Sequence, residues 1–216
     1  LELSQSQHLK LKKYCERKKI TYLCSAFDMP SLEFLKKHKL TIFKIPSGEI
    51  TNYPYLKKVG SFNKEVILST GMSTIPEIRK ALNTLQKSSL KKRKITLLHC
   101  HSDYPTNYKD VNLRAMQTLS KTFRIKVGLS DHSLGIEVPT AAAALGASVI
   151  EKHFTLDRKL NGPDHKASLT PLELLQMIKS IRNVEESLGN NQKKVTKSEY
   201  KTLLVVRKSI VAINSI

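Results

Sequence analysis

IKVGLSDHSLG, residues 125–135, followed by SVIEKHFTLDR, residues 148–158, is the stretch that decides the fold. Each half is a short apolar run that ends in polar, titratable residues. Side chains alternate between the two faces of a strand, so Ser130 and His132 share one face and Glu151 and His153 share one face of the next strand. Working outward, the same short apolar runs recur at TYLCSAF (21–27), LTIFKIPS (40–47), EVILSTG (65–71) and ITLLHC (95–100), giving six predicted strands. Between them lie stretches with helical spacing at 5–18, 31–38, 53–58, 75–86, 110–121, 138–146 and 169–189. Strand and helix in alternation predict βα units and a parallel sheet.

Two observations choose a barrel over an open, doubly wound sheet. Polar side chains recur where nearly every strand ends, and only a barrel gathers all those ends around one site. No GxGxxG or GxxxxGK[ST] loop follows any strand, which removes the usual nucleotide-binding open sheets. The expectation is an incomplete (β/α)8 TIM-type barrel over residues 1–189, with about six βα units present and the first two strands missing. Residues 190–216 are read as a polar linker running into a β-prone stretch (LLVV, SIVAI) that opens a second, absent domain.

Composition narrows the function classes. The 216 residues carry 37 Lys and Arg against 18 Asp and Glu, a formal net charge of +19. Much of the excess is lysine scattered along the chain, and its densest run, KSSLKKRK at 87–94, precedes a strand and so falls on the barrel face opposite the strand ends. The expectation is an ordinary basic surface with no nucleic-acid partner. There is no long apolar stretch for a membrane span and no signal-peptide pattern, so a cytoplasmic protein without a membrane partner is expected. Cys15, Cys24 and Cys100 show no CxxC spacing, which argues against a disulfide scaffold or a zinc finger.

The chemistry-bearing residues follow from position. His132 and His153 end consecutive strands, about 4.8 Å apart, so two imidazoles can meet one cation. Two nitrogens with oxygens and no thiolate suit Mn²⁺ or Mg²⁺. In FKIPSGEITN (43–52), Lys44, Ser47 and turn amides can hold a phosphate or carboxylate, and Glu49 can move protons. Ser25 and Ser69 end other strands with short donors. LLHCHSDYPTNY (97–108) adds Ser102 and Tyr104, and NGPDHKAS (161–168) adds Asp164 in a Gly-Pro loop.

Taken in order, KIPSGE, LSTGMS, LHCHSDYPT, GLSDHSLG, EKHFTLD and GPDHKAS resemble the sialic acid synthase family, which includes the legionaminic and pseudaminic acid synthases. The resemblance implies condensation of phosphoenolpyruvate with an N-acetylmannosamine-type sugar and water. It implies His132 and His153 as ligands of the divalent cation, and Lys44, Ser47, Ser69, Ser130 and Ser25 as phosphoenolpyruvate contacts. Glu49 and Glu151 would be catalytic, Tyr104 and Asp164 would contact the N-acetylated hexosamine, and Ser102 would bind substrate where some members carry asparagine. The resemblance also implies a domain-swapped homodimer and a small C-terminal antifreeze-like domain, of which VVRKSIVAINSI resembles the junction. The alternatives weighed are a remnant that binds these ligands without turnover and a basic nucleic-acid-binding module.

Overall fold

The structure is a computed structural model, and it describes residues 3–208 together with 210 and 213. Five parallel strands, β1 (Ile42–Ile45), β2 (Glu65–Ser69), β3 (Ile95–Cys100), β4 (Lys126–Asp131) and β5 (Ile150–Lys152), form one sheet in strictly sequential order. Right-handed crossovers in a sequentially ordered parallel sheet place every connecting helix on the same face. The other face is left for the strands to curl around, which is the geometry of a barrel segment. Lys44 on β1 and Glu151 on β5 show the curl directly: they occupy opposite edges of the sheet, about 19 Å apart if it were flat, yet Lys44 Nζ lies 3.2 Å from Glu151 Oε1.

The helix-facing side is apolar. Phe43, Ile45, Val66, Leu68, Leu97, Val127 and Leu129 alternate along the strands into one core. Helices α3 (Tyr53–Ser61), α4 (Ile75–Lys87) and α6 (Arg114–Phe123) close over it with Leu56, Ile78, Leu82 and Met116. Local signals start the helices where apolar spacing alone would leave them ambiguous. Thr74 with Glu77 forms a capping box on α4, and Thr170 with Glu173 does so on α8 (Pro171–Leu188), satisfying N–H groups that a helix start otherwise leaves open.

Three expectations are corrected. TYLCSAF is not a strand: it touches the sheet at a single parallel bridge, Ser25 to Lys44. β1 is only four residues long, so it offers little ladder on that edge, and Asp28 turns the chain into α2 (Met29–Lys37) by accepting from Ser31 N at 2.6 Å. The helix expected over 110–121 is two pieces, α5 (Tyr108–Val111) and α6, because Asn112 takes the left-handed conformation between them. LLVV lies in helix α9 (Glu199–Val206) rather than in a β-run. It has no neighbouring strand, and a helix satisfies its own backbone groups where an unpaired strand cannot. Of SIVAI, Ser209, Val211 and Ala212 lie outside the described residues. No helix among the described residues is long and apolar enough to cross a membrane.

Candidate functional site

At the C-terminal ends of the strands, the curled face encloses a cavity of about 610 Å³. Lys44, Ser69, Ser130 and Glu151 reach it from β1, β2, β4 and β5, while Ser47, Ser102, Tyr104, His132 and His153 reach it from the residues that follow strands. The cross-strand register explains the convergence. Cys100, Ser130 and Glu151 form one row over three neighbouring strands, all on the cavity side.

The two histidines meet as their alternation requires. Their ring centroids are 5.3 Å apart, and Tyr104 lies against both, at 4.0 Å from His132 and 5.6 Å from His153. His132 Nδ1 is 2.7 Å from the His101 carbonyl oxygen. A carbonyl can only accept, so Nδ1 carries a proton, and Nε2 is the nitrogen left to face a ligand. Burial holds His153 below the usual histidine range, opposed by the Asp164 carboxylate and assisted by His132. That shift favours the deprotonated ring, the form that coordinates a metal. No group of three or more His, Cys, Asp or Glu side chains suited to a metal occurs among the described residues. The donor set is thus two imidazole nitrogens, leaving positions for oxygen from water or substrate. That set fits a hard or borderline divalent cation.

The same cavity is also lined by Lys44 and serine hydroxyls. Lys44 is only 7% exposed and pairs with Glu151. Ser69 Oγ is the one buried side-chain polar atom among the described residues that has no hydrogen-bond partner. Such an atom costs about 1–3 kcal/mol until something satisfies it, and a ligand oxygen in the cavity would. Ser47 Oγ accepts from Gly71 N at 2.9 Å, tying the turn after β1 to the turn after β2. Gly71 leaves room for these hydroxyls: a Cβ there would lie 2.4 Å from Ser102 Oγ and 2.8 Å from Ser47 Oγ, so both would have to shift.

Three predicted residues stand apart. Ser25 is bridged to Lys44 but lines a neighbouring cleft with His8, Cys24 and Phe34. Glu49 is not on the cavity wall and accepts from Asn52 Nδ2 at 2.7 Å. Asp164 Oδ2 is 3.9 Å from His153 Nδ1, beyond hydrogen-bond length, and also lies off the wall. The sequence reading passed over Cys100, Phe27 and Met72, which line the cavity, and the buried Asp131–Lys152 pair, of which Lys152 borders it. Alternation from Ser130 and Glu151 would have found that pair, because it places both charges on the apolar face of adjoining strands.

A sequential parallel sheet curled around a polar cavity at its C-terminal strand ends defines a (β/α)-barrel domain, here a half-barrel of five strands. The NeuB family model matches residues 1–193, and the chain belongs to that family. It is 51% identical over 212 residues to an N,N'-diacetyllegionaminic acid synthase of Campylobacter jejuni, covering 98% of this chain and 64% of the relative. It is 46% identical to a protein of the same description from Legionella pneumophila, covering 97% of this chain and 60% of the relative. Among solved structures, an N-acetylneuraminic acid (sialic acid) synthetase of Leptospira borgpetersenii superposes with a TM-score of 0.86 at 36% identity, covering 94% of this chain and 70% of that one. The chain thus spans under two thirds of the length of these curated relatives.

Proposed function

We propose that this chain carries the phosphoenolpyruvate- and cation-binding part of a synthase that condenses phosphoenolpyruvate with an N-acetylmannosamine-type sugar and water, giving a nonulosonic acid and phosphate. One observation carries the reading: a single cavity is lined by a buried lysine, an unpartnered serine hydroxyl and two imidazoles 5.3 Å apart. That set suits a small, doubly anionic substrate at the lysine and serine and an aldehyde oxygen at the imidazoles. Names of relatives that describe legionaminic acid synthases agree with it.

Lys44 neutralises the phosphate or carboxylate of phosphoenolpyruvate, and the hydroxyls of Ser47, Ser69, Ser102 and Ser130 donate to its oxygens. Such donors are fixed before the substrate arrives, so little reorganisation is needed as charge develops. His132 and His153 hold Mn²⁺ or Mg²⁺. When bound, the cation supplies Lewis-acid polarisation of the sugar carbonyl. C3 of phosphoenolpyruvate forms the bond to the aldehyde carbon, whose oxygen takes a proton, while water adds at C2 and the C2–O bond to phosphate breaks. Glu151, on the cavity wall and in contact with Lys44, is placed to orient that water and accept its proton. Tyr104 closes the cavity above His132, and Asp164 stands just outside His153, toward the sugar. Glu49 and Ser25, off the wall, take no step here. Dimerisation by exchange of a terminal domain and a cytoplasmic location belong to the same proposal.

The test measures phosphate released from phosphoenolpyruvate by the protein. Release should require both Mn²⁺ and an N-acetylated hexosamine. Release that persists after the metal is chelated, or without the sugar, would sink the reading.

A further inference from the structure

Beneath the histidines lies a second polar cluster that the chemistry above does not use, and one of its members, Lys152, also borders the cavity. Asp131 and Lys152 are direct cross-strand partners on β4 and β5. Their side chains are 1% and 3% exposed, and Asp131 shares its face with the core residues Val127 and Leu129. Lys152 Nζ sits 2.5 Å from Asp131 Oδ2 and also donates to the Ser133 carbonyl. Asp131 Oδ1 accepts from Ser133 N at 2.9 Å and from Ser133 Oγ at 2.7 Å. His132 is therefore bracketed on both sides by residues tied to one ammonium. Its own carbonyl accepts from Thr106 N at 3.0 Å, and its Nδ1 donates to His101.

Burying two opposite charges is weak evidence for stability, since desolvation offsets most of their attraction; the best-attested use of such a group is to specify register. Register is the weak point here. β5 has three residues and meets β4 at only Leu129–Ile150, Ser130–Glu151 and Asp131–Lys152. A slip of one residue would turn Glu151 and His153 away from the cavity side of the strand. It would also strand Asp131 in the apolar layer without a counter-charge.

We propose that Asp131 and Lys152 are positioning residues, a register lock that sets β5 against β4 so that His132 and His153 present their nitrogens to one point. This rests on reading the two imidazoles as cation ligands. A single apolar substitution would leave the remaining charge buried with no side-chain partner and unfold the protein, so the informative change is the double variant Asp131→Leu/Lys152→Met, which replaces the pair with apolar side chains of similar volume. Circular dichroism checks that it folds. Manganese binding followed by electron paramagnetic resonance should weaken about 10- to 100-fold, the range seen when outer groups that orient metal ligands are removed. A second readout needs no metal: the slowly exchanging imidazole proton that His132 Nδ1 donates to His101 should be seen by NMR in the parent and lost in the variant. A folded double variant with parental manganese affinity and an intact imidazole proton overturns the lock. Should the parent bind no manganese, the cation reading fails while the imidazole proton still decides the lock. If the double variant does not fold, Asp131→Asn, which keeps acceptors for Ser133 but removes the charge, must shift the same proton signal, and an unshifted signal overturns the proposal.

Discussion

The two ends of the sheet are built on opposite principles. At the C-terminal ends of the strands, and in the connections that follow them, lie all the buried polar and charged side chains among the described residues, from Lys44 and Ser69 to Ser130, His132 and Ser168. At the N-terminal ends, the connections KKHK (36–39), KSSLKKRK (87–94) and KTFRIK (121–126) keep their cations exposed, apart from half-buried Lys94, and none of these cations forms an ion pair with a carboxylate among the described residues. Burying a polar group is costly unless it is partnered, so the first end holds polar groups in fixed positions at an energetic cost and the second simply solvates them. Cations beyond the last turns of α2, α4 and α6 also complement the helix dipoles. The basic composition thus has a structural reason on the end away from the cavity.

Substitutions at the two ends should therefore differ in kind. Lys44→Met removes a buried cation of the cavity, and phosphate release should fall about 10²- to 10³-fold, the loss typical of deleting one preorganised donor. Activity within tenfold of the parent would erase the distinction. Gly71→Ala, two residues past β2, must push Ser102 and Ser47 aside and should cost about 10²-fold in the same assay, as small displacements of positioning groups do, with the unfolding midpoint little changed.

A third expectation concerns pH. His99, on β3, gives its Nε2 proton to the Val111 carbonyl at 2.7 Å, and burial holds it below the usual histidine range. Because the folded state resists protonation more than the unfolded chain does, the stability this residue provides is complete above the ordinary histidine value and is lost as pH falls through the lowered one. Urea unfolding measured from pH 7 downward should show that loss, and His99→Gln should flatten it. At the solvated end, Lys94 is the exception that donates to Asn63 Oδ1 at 3.1 Å, and Lys94→Met should cost about 1–2 kcal/mol in urea unfolding. Its neighbours have no such partner. Replacing Lys91, Lys92 and Arg93 together by Gln should change stability by no more than about 0.5 kcal/mol per site and leave phosphate release untouched.

Much of this division was legible before any coordinates. The short apolar runs located β2, β3 and β4 within a residue or two, and period-two alternation placed Ser130, His132, Glu151 and His153 on one side. Helical spacing between the apolar runs outlined α4, expected over 75–86, and α8, expected over 169–189. What escaped was set by neighbours rather than by local pattern. TYLCSAF has the composition of a strand but only one point of contact with β1. LLVV is β-prone but has nothing to pair with. Glu49 sits in the expected motif, yet its carboxylate turns to Asn52. Alternation puts Asp131 and Lys152 on the apolar face, but that they face one another follows only from the register of β4 against β5.

The chain alone determined which side chains share a face, since backbone geometry within a strand is a local property with a fixed period. Which edges curl together was decided only by the tertiary structure. Lys44 and Glu151 are separated by four strand spacings along the sheet, and no local period encodes the closure that brings their charges within 3.2 Å of each other. That closure turns a row of polar strand ends into a single cavity.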